Sequence, residues 1–178
     1  LSVNFDDNAQ GLYVPTYLIE GDAERGIEPL APDLKSVEDL PKYWELFKDP
    51  EDQQKGRIYG AITGWAVDEL LKQRMEEYGL DEQFNYFSPG SDAALTTSLV
   101  SAYENGEPWV GYYWSPTWVT GKYDLTLLAE PNPFPATVVT VAVNKDVEKK
   151  APEVVEFLKH YQTSDQLTAE ALAYMEEN

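Results

Sequence analysis

Two short aromatic segments carry most of the chemistry this sequence can offer. Thr63-Gly64-Trp65 ends one apolar run, and Trp114-Ser115-Pro116-Thr117-Trp118 ends a second one about fifty residues later. Around them the usual reactive groups are scarce, with no cysteine and a single histidine. A thiolate nucleophile, a thiolate metal site and a disulfide scaffold are excluded together. What remains is aromatic faces, and these bind cations, sugars and flat rings. The residues predict a binder before an enzyme, with no catalytic residue, no metal ligand and no cofactor.

The charge narrows the partners. Thirty-two acids against 13 bases give a formal net charge of −19, the wrong sign for a phosphate backbone or an anionic lipid surface. The acids form neither a metal loop nor a spaced catalytic pair and read as solvated faces that keep the chain soluble. His160, between Lys159 and Tyr161, is expected at the surface.

At 178 residues, 43% hydrophobic and 13% aromatic, the chain suits one globular domain or one large lobe of something bigger. No segment approaches the roughly 20 apolar residues of a membrane helix. The chain starts at Leu1 without a basic leader, so its first residue is expected to be a boundary within a longer protein.

The elements that must hold the aromatics can be read from periodicity. Residues 11–19 form an apolar run that Pro15 confines to an edge or crossover strand. Ser36 and Asp39 approach a capping box ahead of a helix with Leu40, Tyr43, Trp44 and Phe47 on its apolar face. Strands are predicted at 56–62, 84–87, 109–113 and 125–128, and helices at 66–78 and from Ser91 to about Gly106. The β-branched run 136–143 reads as a long strand. Helices follow from Pro152, with Val155, Phe157, Leu158 and Tyr161 inward, and from about Ser164 to Met175. Strands alternating with helices predict an α/β fold with a mixed, mainly parallel sheet and helices on both faces.

In such a sheet, ligands bind beyond the carboxyl ends of the strands, where loops enter helix N-termini. Three loops qualify: 63–65, 88–91 and 114–118. The first is the sharpest. Gly64 permits close backbone approach, Trp65 offers an indole face, and the Ala66 and Val67 amides open a helix. A helix N-terminus favours a carboxylate by about 0.3–1 kcal/mol, and an indole face favours a cation by about 0.5–2 kcal/mol. Together they describe a small zwitterion. Trp44 and Trp109 are expected to pack in the core, whereas Trp118 stands between core and site beside Pro116 and Tyr123. Trp65 and Trp114 stand at strand ends, where packing and ligand contact are equal readings; with Ala66 and Val67 they are the candidate site residues, and Gly64, Thr117 and Trp118 are further candidates. Trp65 and Trp114 are expected to face one cleft.

Gly11-Leu-Tyr-Val-Pro-Thr-Tyr17, Ala31-Pro-Asp-Leu-Lys-Ser-Val-Glu-Asp-Leu40, Thr63-Gly-Trp65, Ser88-Pro-Gly-Ser-Asp-Ala-Ala-Leu95, Glu107 to Trp118 and Val143-Asn-Lys-Asp146 resemble the glycine betaine/proline betaine substrate-binding proteins of ABC importers. The resemblance is collinear over nearly the whole chain. It implies one lobe of a bilobal periplasmic-binding-protein-like fold of class II: the second lobe, crossover strands and a returning C-terminal segment, with much of the first lobe not represented. It implies that Trp65 and Trp114 belong to a quaternary-ammonium box, completed by an aromatic from the other lobe or another subunit, and that the partners are a betaine-type ligand and a membrane permease. It places the protein outside the cytoplasm, in the periplasm or anchored at the cell surface. Ala66-Val67 stands where the family often has Gly-Cys, and 130–135 looks shorter than the family's loop.

The divisions expected are 1–55 for a crossover strand, loop and connecting helix, 56–130 for the ligand-binding core, and 131–178 for the returning strand and C-terminal helices. Residues 13–19 and 137–143 are expected to run as neighbouring crossover strands. The rival reading is a carbohydrate-binding module or lytic enzyme that stacks sugars on the same aromatics. The sequence does not separate glycine betaine from proline betaine, choline or carnitine.

Overall fold

The computed structural model describes residues Leu1–Asn178. Eight strands follow in chain order: β1 (Val3–Phe5), β2 (Ala9–Pro15), β3 (Lys48–Asp49), β4 (Asp52–Tyr59), β5 (Phe84–Phe87), β6 (Gly111–Ser115), β7 (Leu125–Leu127) and β8 (Val139–Thr140). The helices are α1 (Tyr17–Glu20), α2 (Ala66–Glu77), α3 (Asp92–Asn105), α4 (Trp118–Lys122), α5 (Val147–Lys150), α6 (Pro152–Lys159) and α7 (Asp165–Glu177), with 3-10 turns at Val37–Phe47 and Leu80–Glu82. The chain divides into a larger unit, Gly11–Tyr113 with Tyr123–Pro133, and a smaller one, Leu1–Gln10, Trp114–Lys122 and Phe134–Asn178. The larger unit thus takes in β2 from Gly11 and the Val37–Phe47 turn as well as residues 56–113 and 123–130, while residues 114–122 fall in the smaller unit.

The larger unit is built on a six-stranded mixed sheet in the order β3-β4-β6-β2-β7, with β5 also on β4. β4 runs parallel to β5 and β6, while β3 pairs antiparallel with β4 and β7 with β2. Parallel neighbours need a long crossover, and α2 and α3 supply two. Gly79 and Gly106 end them with φ near +65° and +69°, a left-handed turn that glycine adopts at little cost. Ser91 opens α3 by accepting the Ala94 amide at 3.1 Å. Leu18, Leu40, Ile58, Leu95 and Leu99 are fully buried. Trp109 is buried too, stacked on Tyr59 at 5.6 Å with its indole N–H on Ser98 Oγ at 3.1 Å, which is the packing role expected of it.

Several expectations need correction here. The Ser36–Asp39 capping box forms, with Asp39 accepting the Ser36 amide at 3.1 Å, but it opens a 3-10 segment and not an α-helix. Pro41 lies inside that segment and lacks an amide. The tighter winding takes Trp44 off the face of Val37 and Leu40, leaving it half-buried beneath Lys48 Nζ at 5.9 Å. Ser36→Ala should lower stability by about 1 kcal/mol, read as a shift in the urea midpoint.

The run 13–19 also breaks, because α1 begins at Tyr17. Its strand portion neighbours β6 and β7, with Tyr13 opposite Leu127. Of residues 136–143 only Val139–Thr140 form a strand, and they pair with Val3–Phe5. The two runs are not paired neighbours. β-Propensity expresses fit to a half-buried pleated surface, and Val138 is 60% exposed, so this run lacks the surface that would extend it.

In the smaller unit, α4 and α7 pack closely at Gly121, where an added Cβ would lie 2.1 Å from the Ala169 carbonyl oxygen. Ser164 caps α7 by accepting the Leu167 amide. On α6, Val155 is buried and Leu158 half-buried, but Phe157 is 64% exposed and Tyr161 is also exposed. Helical spacing sets 155 and 158 on one stripe and 157 and 161 on another, so only part of the expected inward face is buried.

Candidate functional site

The connection from β4 to α2 is where the structure leaves binding groups open. Gly64 has φ +95°, with nothing near the position a Cβ would occupy, so the turn needs glycine for its backbone and not for space. Trp65 takes the N-cap position with an extended backbone and no side-chain capping bond. Serine or aspartate there would accept an amide of the first turn; an indole cannot. The Trp65 carbonyl accepts the Asp68 amide at 3.0 Å, and the amides of Ala66 and Val67 have no acceptor in the chain. Trp65 is 37% exposed, Ala66 is exposed and Val67 half-buried.

The other two loops are closed by their own side chains. Ser91 caps α3 as described. At α4, Thr117 and Thr120 bond reciprocally: the Thr117 amide donates to Thr120 Oγ1 at 3.0 Å, and the Thr120 amide to Thr117 Oγ1 at 3.1 Å. The Thr117 hydroxyl is thus engaged in capping. Ser115 donates to the Asp165 carboxylate and is joined to Pro116 by a cis peptide. Trp114 and Trp118 are both half-buried. Trp65 belongs to the larger unit and Trp114 to the smaller, and neither is packed away in a core.

A group of residues the sequence reading passed over surrounds the Trp65 turn. Asp68 is 1% exposed and accepts Lys72 Nζ at 2.8 Å, the Tyr86 hydroxyl at 2.8 Å and Ser88 Oγ at 3.4 Å. Tyr86 in turn accepts the Ala61 amide at 2.9 Å. Burial raises the Asp68 carboxyl, but the bonds from Lys72, Tyr86 and Ser88 outweigh it and hold the group below its ordinary range. Burial, and then the bond to Asp68, push the Tyr86 phenol well up. A signal existed: Asp68 shares the 68, 71, 75 stripe with the buried Leu71 and Met75, where an acid is out of place.

Two hollows in the larger unit are poor rivals. One, lined by Leu12, Ile58, Leu71, Met75, Arg74 and Glu130, has about 10 Å³ of free space, room for about one water. The other, about 320 Å³ beside Tyr17, Glu20, Asp22, Tyr103 and Asp124, is acidic. Its tyrosine faces already carry the Arg25 guanidinium, 5.4 and 5.2 Å from the ring centres.

Comparison with known proteins gives this site its context. The family described as the substrate binding domain of ABC-type glycine betaine transport systems matches residues 1–178. A glycine betaine-binding periplasmic protein of Dickeya dadantii is 28% identical over 136 residues, 63% of this chain and 40% of that protein. A trimethylamine N-oxide-binding protein of Pelagibacter ubique is 30% identical over 99 residues, 56% of this chain and 31% of that one. Among solved structures, a glycine betaine/L-proline-binding protein from Borrelia burgdorferi superposes with a TM-score of 0.62 at 20% identity, covering 99% of this chain and 59% of that one. Lactococcal OpuAC complexed with glycine betaine gives 0.60 at 22%, covering 99% and 61%. The chain therefore spans about two fifths or less of these curated relatives' length and about three fifths of the solved chains. The fold class read from the sequence, an α/β lobe of a periplasmic-binding-protein-like fold, holds. The chain belongs to the family of substrate-binding domains of ABC-type glycine betaine transport systems.

Proposed function

We propose that this chain binds a small quaternary-ammonium zwitterion of the betaine type for an ABC importer, works outside the cytoplasm, hands its ligand to a membrane permease and catalyses nothing. The observation that carries this reading is the start of α2, where an exposed indole replaces the capping side chain and leaves the Ala66 and Val67 amides unbonded. The amides and the helix dipole suit a carboxylate, and the Trp65 face suits a methylated ammonium. In this reading Gly64 belongs to the Trp65 turn, and Trp114 and Trp118 are candidate indoles carried by the smaller unit. The relatives' names support it: they include binders of glycine betaine, trimethylamine N-oxide, carnitine and choline, whose common feature is a fully substituted, methylated nitrogen. Nothing in the family favours the sugar-stacking alternative.

Calorimetric titration with glycine betaine, choline and an oligosaccharide tests it. Binding by this chain alone should be weak, with Kd on the order of millimolar, because water reaching the cation cuts cation–π attraction from about 2 to below 1 kcal/mol. Betaine should bind better than choline, which lacks the carboxylate, and the sugar should not bind. Trp65→Ala should weaken betaine by roughly 2- to 5-fold with little change in Tm. Preference for the oligosaccharide would overturn the reading.

A further inference from the structure

A buried carboxylate is costly unless it is paired and hydrogen-bonded, and this chain already carries a net charge of −19. Asp68 is nevertheless buried one helical turn from Trp65, and its partners come from three places: Lys72 on its own helix, Tyr86 on β5, and Ser88 in the loop after β5. Through the Tyr86 hydroxyl the chain of bonds reaches the Ala61 amide, where the turn to Trp65 begins. The Tyr86 ring also lies against Gly60, where an added Cβ would meet it at 2.0 Å. One carboxylate thus fastens the loops that leave two adjacent parallel strands, β4 and β5.

We propose that Asp68, acting through Tyr86 and Ser88, is the positioning residue that sets where the Trp65 indole and the Ala66 and Val67 amides stand, and with them the ligand affinity of the site. The ligand half of this inference rests on the betaine reading; the positioning half does not. The groups facing Asp68 are Lys72, Tyr86 and Ser88, and Lys72 is shared with Glu69 at 3.0 Å. Because the folded carboxyl is held below its ordinary range, the tie is present above that range and is lost as pH falls through the depressed value.

The test uses the 15N-labelled full chain with Asp68→Asn and Tyr86→Phe. Hydrogen exchange at the Ala61 amide should quicken at least tenfold while Ile58 in β4 keeps its protection. The Trp65 indole and the Ala66 and Val67 amide resonances should move in both variants, and glycine betaine affinity should fall at least tenfold. A pH titration of the wild type, which needs no variant to fold, should move those three resonances together with a midpoint below the ordinary aspartate range. Variants that lower Tm but leave the resonances, the Ala61 exchange and the affinity of the folded protein unchanged overturn the inference, as does a wild type whose three resonances ignore pH. If wild-type protein binds no betaine, the functional reading fails separately, and the resonances and exchange still decide the positioning role.

Discussion

Gly121→Val is expected to abolish ordered packing of α4 on α7. A Cβ at Gly121 would lie 2.1 Å from the Ala169 oxygen, 2.4 Å from its carbonyl carbon and 3.0 Å from the Glu170 nitrogen. All three are backbone atoms of α7, so no rotamer change relieves the clash, and one helix must move. Overpacking in a tight core costs about 1–3 kcal/mol for a methylene or so, and Gly121→Ala alone should reach the top of that range. Valine adds two further methyls. Val155, Ala169 and Ala173 are among the few buried apolar residues of the smaller unit, so little remains to compensate. Hydrogen exchange would report it, with amide protection lost across α4 and α7. Full protection in Gly121→Val would show that the helices are not in this contact.

Arg74→Met should be nearly as damaging, for an electrostatic reason. Arg74 and Glu130 meet at 2.8 Å with side chains only 10% and 7% exposed, and the Tyr78 hydroxyl donates to the same carboxylate oxygen at 3.3 Å. Removing one partner of a buried pair leaves an uncompensated charge and costs about 3–5 kcal/mol. Burial raises the Glu130 carboxyl above its ordinary value, while Arg74 and Tyr78 pull it down. The native state therefore holds its proton to higher pH than the unfolded chain, so stability falls as pH rises through the raised range. Without Arg74 the carboxyl rises further. The variant should lose most stability at neutral pH and recover toward pH 4, and Arg74→Met with Glu130→Leu should recover most of it at all pH values. Urea melts of the variants at pH 4 and 7 check this; a loss independent of pH would assign the cost to packing.

Much of the larger unit was legible because its elements alternate periodically. Strand 84–87 and helix 66–77 fall almost where spacing puts them, bounded by Gly79, and Ser91 and Gly106 mark both ends of α3. Legibility fails where a partner decides. The run 136–143 has the composition of a strand, but only Val3–Phe5 pairs with it. Pro41 turned an expected α-helix into a 3-10 segment and Trp44 with it. At the site, Trp65, Ala66 and Val67 could be proposed from Gly64 and a helix start. The network of Asp68, Tyr86, Ser88 and Ala61 joins residues 18 to 25 positions apart, and no periodicity encodes such a contact. Thr117 looked available in the sequence; only the structure shows its hydroxyl bonded to Thr120.

The most direct test of the central claim is a glycine betaine titration of the 15N-labelled chain followed by amide and indole shifts. Ligand should move the Ala66 and Val67 amides and the Trp65 indole together, saturating with one constant, and Trp65→Ala should weaken or remove the shifts at Ala66 and Val67. Shifts confined to other residues, or shifts at Ala66 and Val67 that persist with unchanged affinity in Trp65→Ala, would contradict a betaine site at the start of this helix.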